Sequence, residues 1–139
     1  MKFRIICAIL LGACIIPGAA SAAGGGMKDG LWEITTSMEM PGMPFTPAPT
    51  KVTHCYTKED LKDDRNVVPK QDGDCKLIDM KHAGNKVSWK MVCTGKSKGK
   101  GQGEIAYKGD SAYDGTMKFE MEGMEMTSRY KARRIGACN

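Results

Sequence analysis

The chain has few of the residues on which catalytic sites are usually built. It holds only two histidines among 139 residues, and it contains no H-E-x-x-H zinc motif and no C-x-x-C pair. The lysines between Gly95 and Gly103 miss the spacing of a phosphate-binding loop and have no aromatic neighbours on which bases could stack. We therefore predict a protein that is not an enzyme and does not bind nucleic acid, and we interpret Gly95–Gly103 as a solvated hairpin loop.

Leucine is also scarce. After the N-terminal segment it occurs only at Leu31, Leu61 and Leu77. Methionine occurs ten times between Met27 and Met126. Its flexible thioether must therefore supply much of the buried apolar surface, although it specifies packing less sharply than branched side chains do. Disulfide bonds would compensate in a domain of this size.

The only long apolar run lies at the N-terminus and is typical of a secretory signal peptide. A basic start is followed by apolar Ile5–Ala20 and by the small-x-small site Ala20-Ser21-Ala22. We therefore predict a signal peptide over residues 1–22, a disordered lead-in over 23–29 and a single disulfide-bonded β domain over 30–139, exported to the periplasm.

Membrane attachment has one alternative route in this sequence. No second apolar stretch is long enough to cross a bilayer, so the mature chain has no predicted transmembrane segment. Leu11-Gly12-Ala13-Cys14, however, resembles the lipobox at which bacterial lipoproteins are cut and lipidated. The alternative localisation is therefore a domain anchored to a membrane through a lipid on Cys14.

Runs of alternating β-forming residues predict an all-β fold. We expect an antiparallel meander of about seven strands that forms a curled sheet, a partial barrel or a sandwich, with one short helix opened by a capping box at Thr57–Asp60. A two-residue turn at Glu122-Gly123 places Met121 opposite Met124 on an apolar face, with charged residues on the other face. A three-residue turn at Gly109–Ser111 adds Ile105 and Tyr107 to that apolar face.

Four cysteines follow the signal segment and allow three disulfide connectivities. Cys75 and Cys93 bracket one hairpin symmetrically about Gly84, which favours a Cys75–Cys93 bond and leaves Cys55 to pair with Cys138. The alternation of this hairpin also permits another register, in which Ile78 and Met80 face the core and Cys75 points to the opposite face. The connectivity therefore stays open at this point.

Three segments together resemble a known family. Gly30-Leu31-Trp32-Glu33, Cys55-Tyr56-Thr57-Lys58-Glu59-Asp60 and the Trp89–Cys93 strand, with the closing Cys138, resemble the bacterial domain-of-unknown-function family 3617. The resemblance implies a small exported β-rich domain and supplies no catalytic or binding residues. Gly30-Leu31-Trp32 also resembles the G-x-W of lipocalins, in which a late arginine, here Arg133 or Arg134, covers the tryptophan. That second resemblance implies a carrier of a small hydrophobic ligand.

Two methionine clusters are the clearest chemical signal in the sequence. Thioethers select Cu(I) and its mimic Ag(I), and an exported protein meets these metals directly. If the first and last strands are neighbours, the sulfurs converge, with a histidine as nitrogen ligand; this candidate set is Met38, Met40, Met43, Met121, Met124, Met126, His54 and His82. The alternative interpretation is that these methionines are the apolar face of a leucine-poor sheet.

The sequence thus favours a non-enzymatic exported binding or envelope-associated module, without a required cofactor. Its partner is not identified by any motif; an envelope protein and a small hydrophobic ligand are the two kinds that remain. Soft-metal binding through methionine and a lipocalin-like carrier function are the alternatives. Oligomeric state and barrel closure do not follow from the sequence pattern.

Overall fold

A single open antiparallel sheet makes up the domain. The computed structural model describes residues 23–68, 74–96 and 98–139, so the predicted signal peptide and the Cys14 motif lie outside the described residues. The seven strands are β1 Gly30–Glu39, β2 Thr50–Tyr56, β3 Asp74–Ala83, β4 Lys86–Thr94, β5 Gly99–Tyr107, β6 Ala112–Met121 and β7 Met124–Gly136. In the described part of the chain, no helix is long and apolar enough to cross a bilayer.

The strand order is β2-β1-β7-β6-β5-β4-β3. Strands β3 to β7 form a meander in chain order, β1 then pairs with β7, and β2 pairs with β1. Strands β2 and β3 are therefore the two edges, and the sheet is not closed into a barrel. The predicted all-β meander is confirmed.

The registers of the last two hairpins match the expected ones. Met121 pairs with Met124 across Glu122-Gly123, and Tyr107 pairs with Tyr113 across the three-residue turn Gly109–Ser111. Glu122 and Gly123 both have positive φ, as a tight two-residue hairpin turn requires. These registers place the buried residues Ile105, Tyr107, Tyr113 and Met117 on one face of the sheet, which we call the packed face.

The predicted short helix is present only as two 3₁₀ turns, Asp60–Lys62 and Asp64–Asn66. The capping box itself forms: the Thr57 N–H donates to Asp60 Oδ2 over 2.9 Å, and the Asp60 N–H donates to Thr57 Oγ1 over 3.2 Å. Extended backbone at Asp63, with φ of −137°, then ends the first turn before an α-helix can propagate.

Strand β5 begins earlier than expected, because Gly99–Gly103 belongs to it and not to a loop. Its three alternate glycines make room for aromatic rings on the packed face. A Cβ at Gly103 would overlap the Trp89 indole, and one at Gly99 or Gly101 would press on the Phe119 ring. Glycine in this strand thus marks close packing of a ring on the backbone.

A β-bulge in β3 resolves the ambiguous alternation of the first hairpin. Ile78 pairs with Lys90 and Lys81 pairs with Ser88, so two residues of β3 oppose Trp89 alone. Asp79 in the bulge has a φ of 51°. The bulge inverts the alternation, so both Cys75 before it and Met80 within it contact the core.

Part of the segment expected to be a disordered lead-in, residues 23–29, contacts the rest of the domain. Met27 is 7% exposed and belongs to the core. The Trp32 indole N–H donates to the Lys28 carbonyl over 3.1 Å, and the Lys28 N–H donates to the Asp110 carbonyl over 2.8 Å. Glycine-rich composition gives no sign of this single buried methionine.

Large side chains fill the core between the packed face and the chain segment 57–68. Trp32, Trp89, Ile105 and Val87 are almost fully buried, and Val67 and Val68 of that segment are buried against them. The opposite face is charged. There, Arg133 donates hydrogen bonds of 3.0 and 3.1 Å to Glu33, and these bonds lower the pKa of Glu33.

We expect Gly103→Ala to lower the free energy of unfolding by about 1 to 3 kcal/mol, since the new methyl group must displace the Trp89 ring. Urea unfolding followed by tryptophan fluorescence measures this loss. Gly136→Ala is the matched control, because a Cβ at this strand glycine meets nothing within 4 Å. Equal stability of the two variants would contradict the packing role of Gly103.

Candidate functional site

An open cleft of about 430 Å³ lies on the packed face near the β2 edge. It is lined by residues of β1, β2, β6 and β7 and of the segment 57–68. The lining side chains include Ile34, Thr36, Val52, His54, Tyr56, Asp60, Asn66, Val67, Val68, Tyr113 and Tyr130. The cleft therefore combines apolar and aromatic surface with a few polar groups.

Strand register explains how residues so distant in sequence meet in this cleft. Ile34 pairs with Val52 on one side and with Ala132 on the other, and Thr36 pairs with Tyr130. Because alternate residues of a strand share a face, these side chains all project from the packed face. Ile34, Thr36 and Tyr130 are half-buried where they line the cleft, whereas Trp32 and Ala132 on the same face are buried.

An aromatic cluster forms the inner end of the cleft. Tyr113 stacks on Trp32 with ring centroids 5.8 Å apart, and Tyr56 meets Trp32 edge to face at 6.0 Å. The Tyr56 and Tyr113 hydroxyls lie 3.3 Å apart and share a hydrogen bond. His54 packs edge to face on Tyr56 at 4.5 Å. These contacts hold the rings in fixed orientations beside the open space.

A buried carboxylate fixes the covering segment to the sheet. Asp64 is 2% exposed, and its Oδ1 accepts a hydrogen bond of 2.8 Å from the Tyr107 hydroxyl. The His82 Nε2 lies 3.1 Å from Asp64 Oδ2. Because a buried carboxylate is costly without partners, these contacts specify where the segment docks. Sequence reasoning missed Asp64, since its hydroxyl partner is 43 positions away and no local motif joins them.

Burial changes the acid–base behaviour of every tyrosine in the domain. Loss of hydration raises the pKa of Tyr56, Tyr113 and Tyr130 above the ordinary value. The pKa of Tyr107 is raised by burial first and then by its hydrogen bond to Asp64. These hydroxyls are therefore neutral hydrogen-bonding groups across the physiological range.

The structure brings some of the candidate metal-binding methionines together. Convergence of the sulfurs requires the first and last strands to be neighbours, and β1 and β7 are neighbours. Met121 pairs with Met124, Met126 pairs with Phe119, and Met38 pairs with Ser128 on the adjacent strand. The shared face thus carries Met38, Met121, Met124 and Met126. Met40 follows the end of β1, and Met43 is 45% exposed in the turn beyond it.

The two histidines do not join these methionines. His54 pairs with Trp32, which lies six residues from Met38 on β1, or about 20 Å at the rise of a β-strand. His82 lies on the opposite edge strand and contacts Asp64. Within residues 23–68, 74–96 and 98–139, no group of three or more His, Cys, Asp or Glu side chains is arranged to hold a metal ion.

Both disulfides involve an edge strand. Cys55 of β2 is bonded to Cys138 after β7, and Cys75 of β3 is bonded to Cys93 of β4, which is the connectivity that hairpin symmetry favoured. Cys75 and Cys93 are direct cross-strand partners with Cα atoms 3.9 Å apart. Two disulfides indicate an oxidising, exported environment.

Of the two arginines expected to cover Trp32, Arg134 lies near it but donates a hydrogen bond to a backbone carbonyl group. Arg134 pairs with Trp32 in register, and its Nε donates to the Asp29 carbonyl over 2.8 Å. Arg133 points to the charged face and binds Glu33. Because the sheet is open, the likeness to lipocalins does not extend to a closed barrel.

These features define a class of protein: a small disulfide-bonded domain made of one open antiparallel sheet, with a cleft where the covering segment ends. Comparison with curated proteins and with solved structures finds no match. The chain belongs to the family of proteins of unknown function DUF3617, whose model matches residues 27–138. This range includes all seven strands and both disulfides, and it confirms the family resemblance.

We expect the buried tyrosines of the folded protein to ionise at a higher pH than solvated tyrosines, because burial raises the pKa of each one. Because the tyrosine pKa values are higher in the folded than in the unfolded protein, the neutral tyrosines contribute fully to stability below the pKa of the unfolded state. This contribution is lost as the pH rises above that pKa. Absorbance near 295 nm should therefore rise together with alkaline unfolding. The guanidinium-unfolded protein is the control, and a folded chain that titrates like it would contradict this burial.

Proposed function

We propose that this protein is an exported, non-enzymatic binding module that works in the periplasm and binds its partner in the cleft beside β2. The observation that carries the proposal is the incomplete cover of the packed face. The segment 57–68 is fixed over one end of the sheet by Asp64, and it leaves Ile34, Thr36 and Tyr130 half-buried at the other side of the cleft. A concave, mostly apolar surface with a few polar groups is the usual form of a ligand site.

The lining indicates the chemistry of the ligand. Ile34, Val52 and Val67 offer apolar contacts, and Asp60 and Asn66 offer polar groups at the rim. The Tyr56 and Tyr113 hydroxyls already satisfy each other. The cleft therefore suits a group with an apolar or aromatic body and one polar end, either a small hydrophobic ligand or a side chain of an envelope protein.

Export to the periplasm is supported by the two disulfides and by the N-terminal signal pattern. A lipid anchor on Cys14 is the alternative, and it would hold the same cleft near a membrane surface. Both versions of the proposal use one cleft and differ only in how freely the domain diffuses.

A non-enzymatic role is supported by where the chemically versatile side chains lie. His54 packs against Tyr56, and His82 faces Asp64. Gly95-Lys96-Ser97-Lys98-Gly99 matches the letters of a nucleophile motif, but the strands before and after it, β4 and β5, pair with each other antiparallel. A nucleophile elbow instead requires a strand followed by a helix.

We expect Thr36→Phe to fill the cleft and to weaken binding of the apolar fluorescent probe N-phenyl-1-naphthylamine by about tenfold or more. Fluorescence titration measures the change. Thr35→Phe is the matched control, because Thr35 is the adjacent β1 residue and lines a groove with Lys51 and Lys131 on the charged face. A wild type that does not bind the probe, or equal affinity of the two variants, would count against the cleft.

Soft-metal binding is a second candidate, favoured by the direct cross-strand pairing of Met121 with Met124. Paired residues on one face have Cβ atoms about 4.5 to 5.5 Å apart, within reach of two thioethers on one ion. Met124 is 63% exposed and accessible to a metal in solution. Met126 and Met38 lie on the same face and would complete an all-sulfur set for Cu(I) or Ag(I).

We expect the double variant Met124→Leu, Met126→Leu to lose a stoichiometric Ag(I) ion that the wild type retains in native mass spectrometry. Methionine-to-leucine exchange nearly conserves volume, so the fold should tolerate it. Met91→Leu is the control, because Met91 is buried in the core. If the double variant retains silver, or if the wild type binds no silver, the proposed metal site is contradicted.

A further inference from the structure

The two edges of the sheet differ in how well they are protected against pairing with another strand. Edge strands are normally protected by bulges, charges or proline. Strand β3 has a bulge at Asp79 and carries the charged residues Asp74, Lys76 and Lys81. Strand β2 pairs with β1 in an uninterrupted register over Thr50–Tyr56, contains no proline and carries one charge, Lys51.

The β2 edge is also accessible. Residues Thr50 to His54 are exposed, Val52 is 56% exposed, and among the described strands only β1 pairs with β2. Val52 and Thr53 favour extended backbone. The outer edge of β2 therefore presents unpaired N–H and C=O groups in the geometry that an added strand requires.

We propose that β2 pairs antiparallel with β2 of a second copy of this chain, about a twofold axis through Thr53. The strand is self-complementary in this register. On the packed face, Val52 of one copy lies opposite His54 of the other, and on the charged face Lys51 lies opposite the disulfide-bonded Cys55. Thr53 meets Thr53, a favourable cross-strand pair, and no two like charges face each other.

The second copy would extend the binding cleft. A twofold axis perpendicular to the sheet keeps both packed faces on the same side. Val52 and His54 line the cleft in one copy, so their counterparts from the second copy would lie directly beside its rim. The two clefts then form one continuous surface. Dimer formation itself depends only on the strand edge and is independent of the ligand proposed for the cleft.

The test is Thr53→Lys, examined by sedimentation equilibrium. Within one chain, position 53 pairs with Glu33, so the new lysine faces a carboxylate and the fold should be kept. At the twofold axis the same change places two lysines side by side. We expect the wild type to be a dimer and T53K to have a dimer dissociation constant raised by about tenfold or more.

Two control variants distinguish pairing through the β2 edge from association through another part of the surface. Thr53→Val keeps the strand propensity and should keep the dimer. Ile78→Glu adds a charge to the β3 edge opposite Lys90, where it should leave association unchanged. Far-ultraviolet circular dichroism confirms that each variant is folded. A monomeric wild type, a T53K dimer of unchanged affinity, or dissociation caused by I78E would overturn the proposal.

Discussion

An open sheet must shield its apolar face from water, and this requirement explains the covering segment, the core and the cleft of the domain. With few leucines available, the cover comes from aromatic rings and from one irregular segment. Trp89 and Phe119 lie directly over the glycines of β5, and Val67 and Val68 belong to the same buried cluster as Trp32. The buried Asp64, which accepts a hydrogen bond from the Tyr107 hydroxyl, holds that segment in place. The cleft lies where this cover ends.

The same architecture explains the placement of the disulfides. The outer strands of an open sheet pair on one side only, so they are the parts held by the fewest hydrogen bonds. One bond anchors β2 through Cys55, and the other anchors β3 through Cys75. A covalent link at each edge compensates for the missing neighbour. The exposed strand β2 forms a wall of the cleft and is the edge proposed to contact a second copy.

Much of the fold could be predicted because it depends on interactions between residues that are close together in the sequence. A two-residue turn at Glu122-Gly123 determines the register of β6 and β7, and with it the face on which Met121 and Met124 lie. Reciprocal hydrogen bonds between Thr57 and Asp60 also follow from a four-residue pattern. The short helix expected after that pattern is present only as 3₁₀ turns, because extended backbone at Asp63 ends the first turn.

Residue type and short-range alternation were enough to predict the β class and the registers of the last two hairpins. Three short segments identified the family, and hairpin symmetry favoured the observed cysteine pairing. The remaining features follow from long-range packing. It placed β1 beside β7, introduced the bulge at Asp79, buried Met27 and set Asp64 against Tyr107. These contacts join residues far apart in the chain, and their energies depend on packing and desolvation that no local pattern encodes.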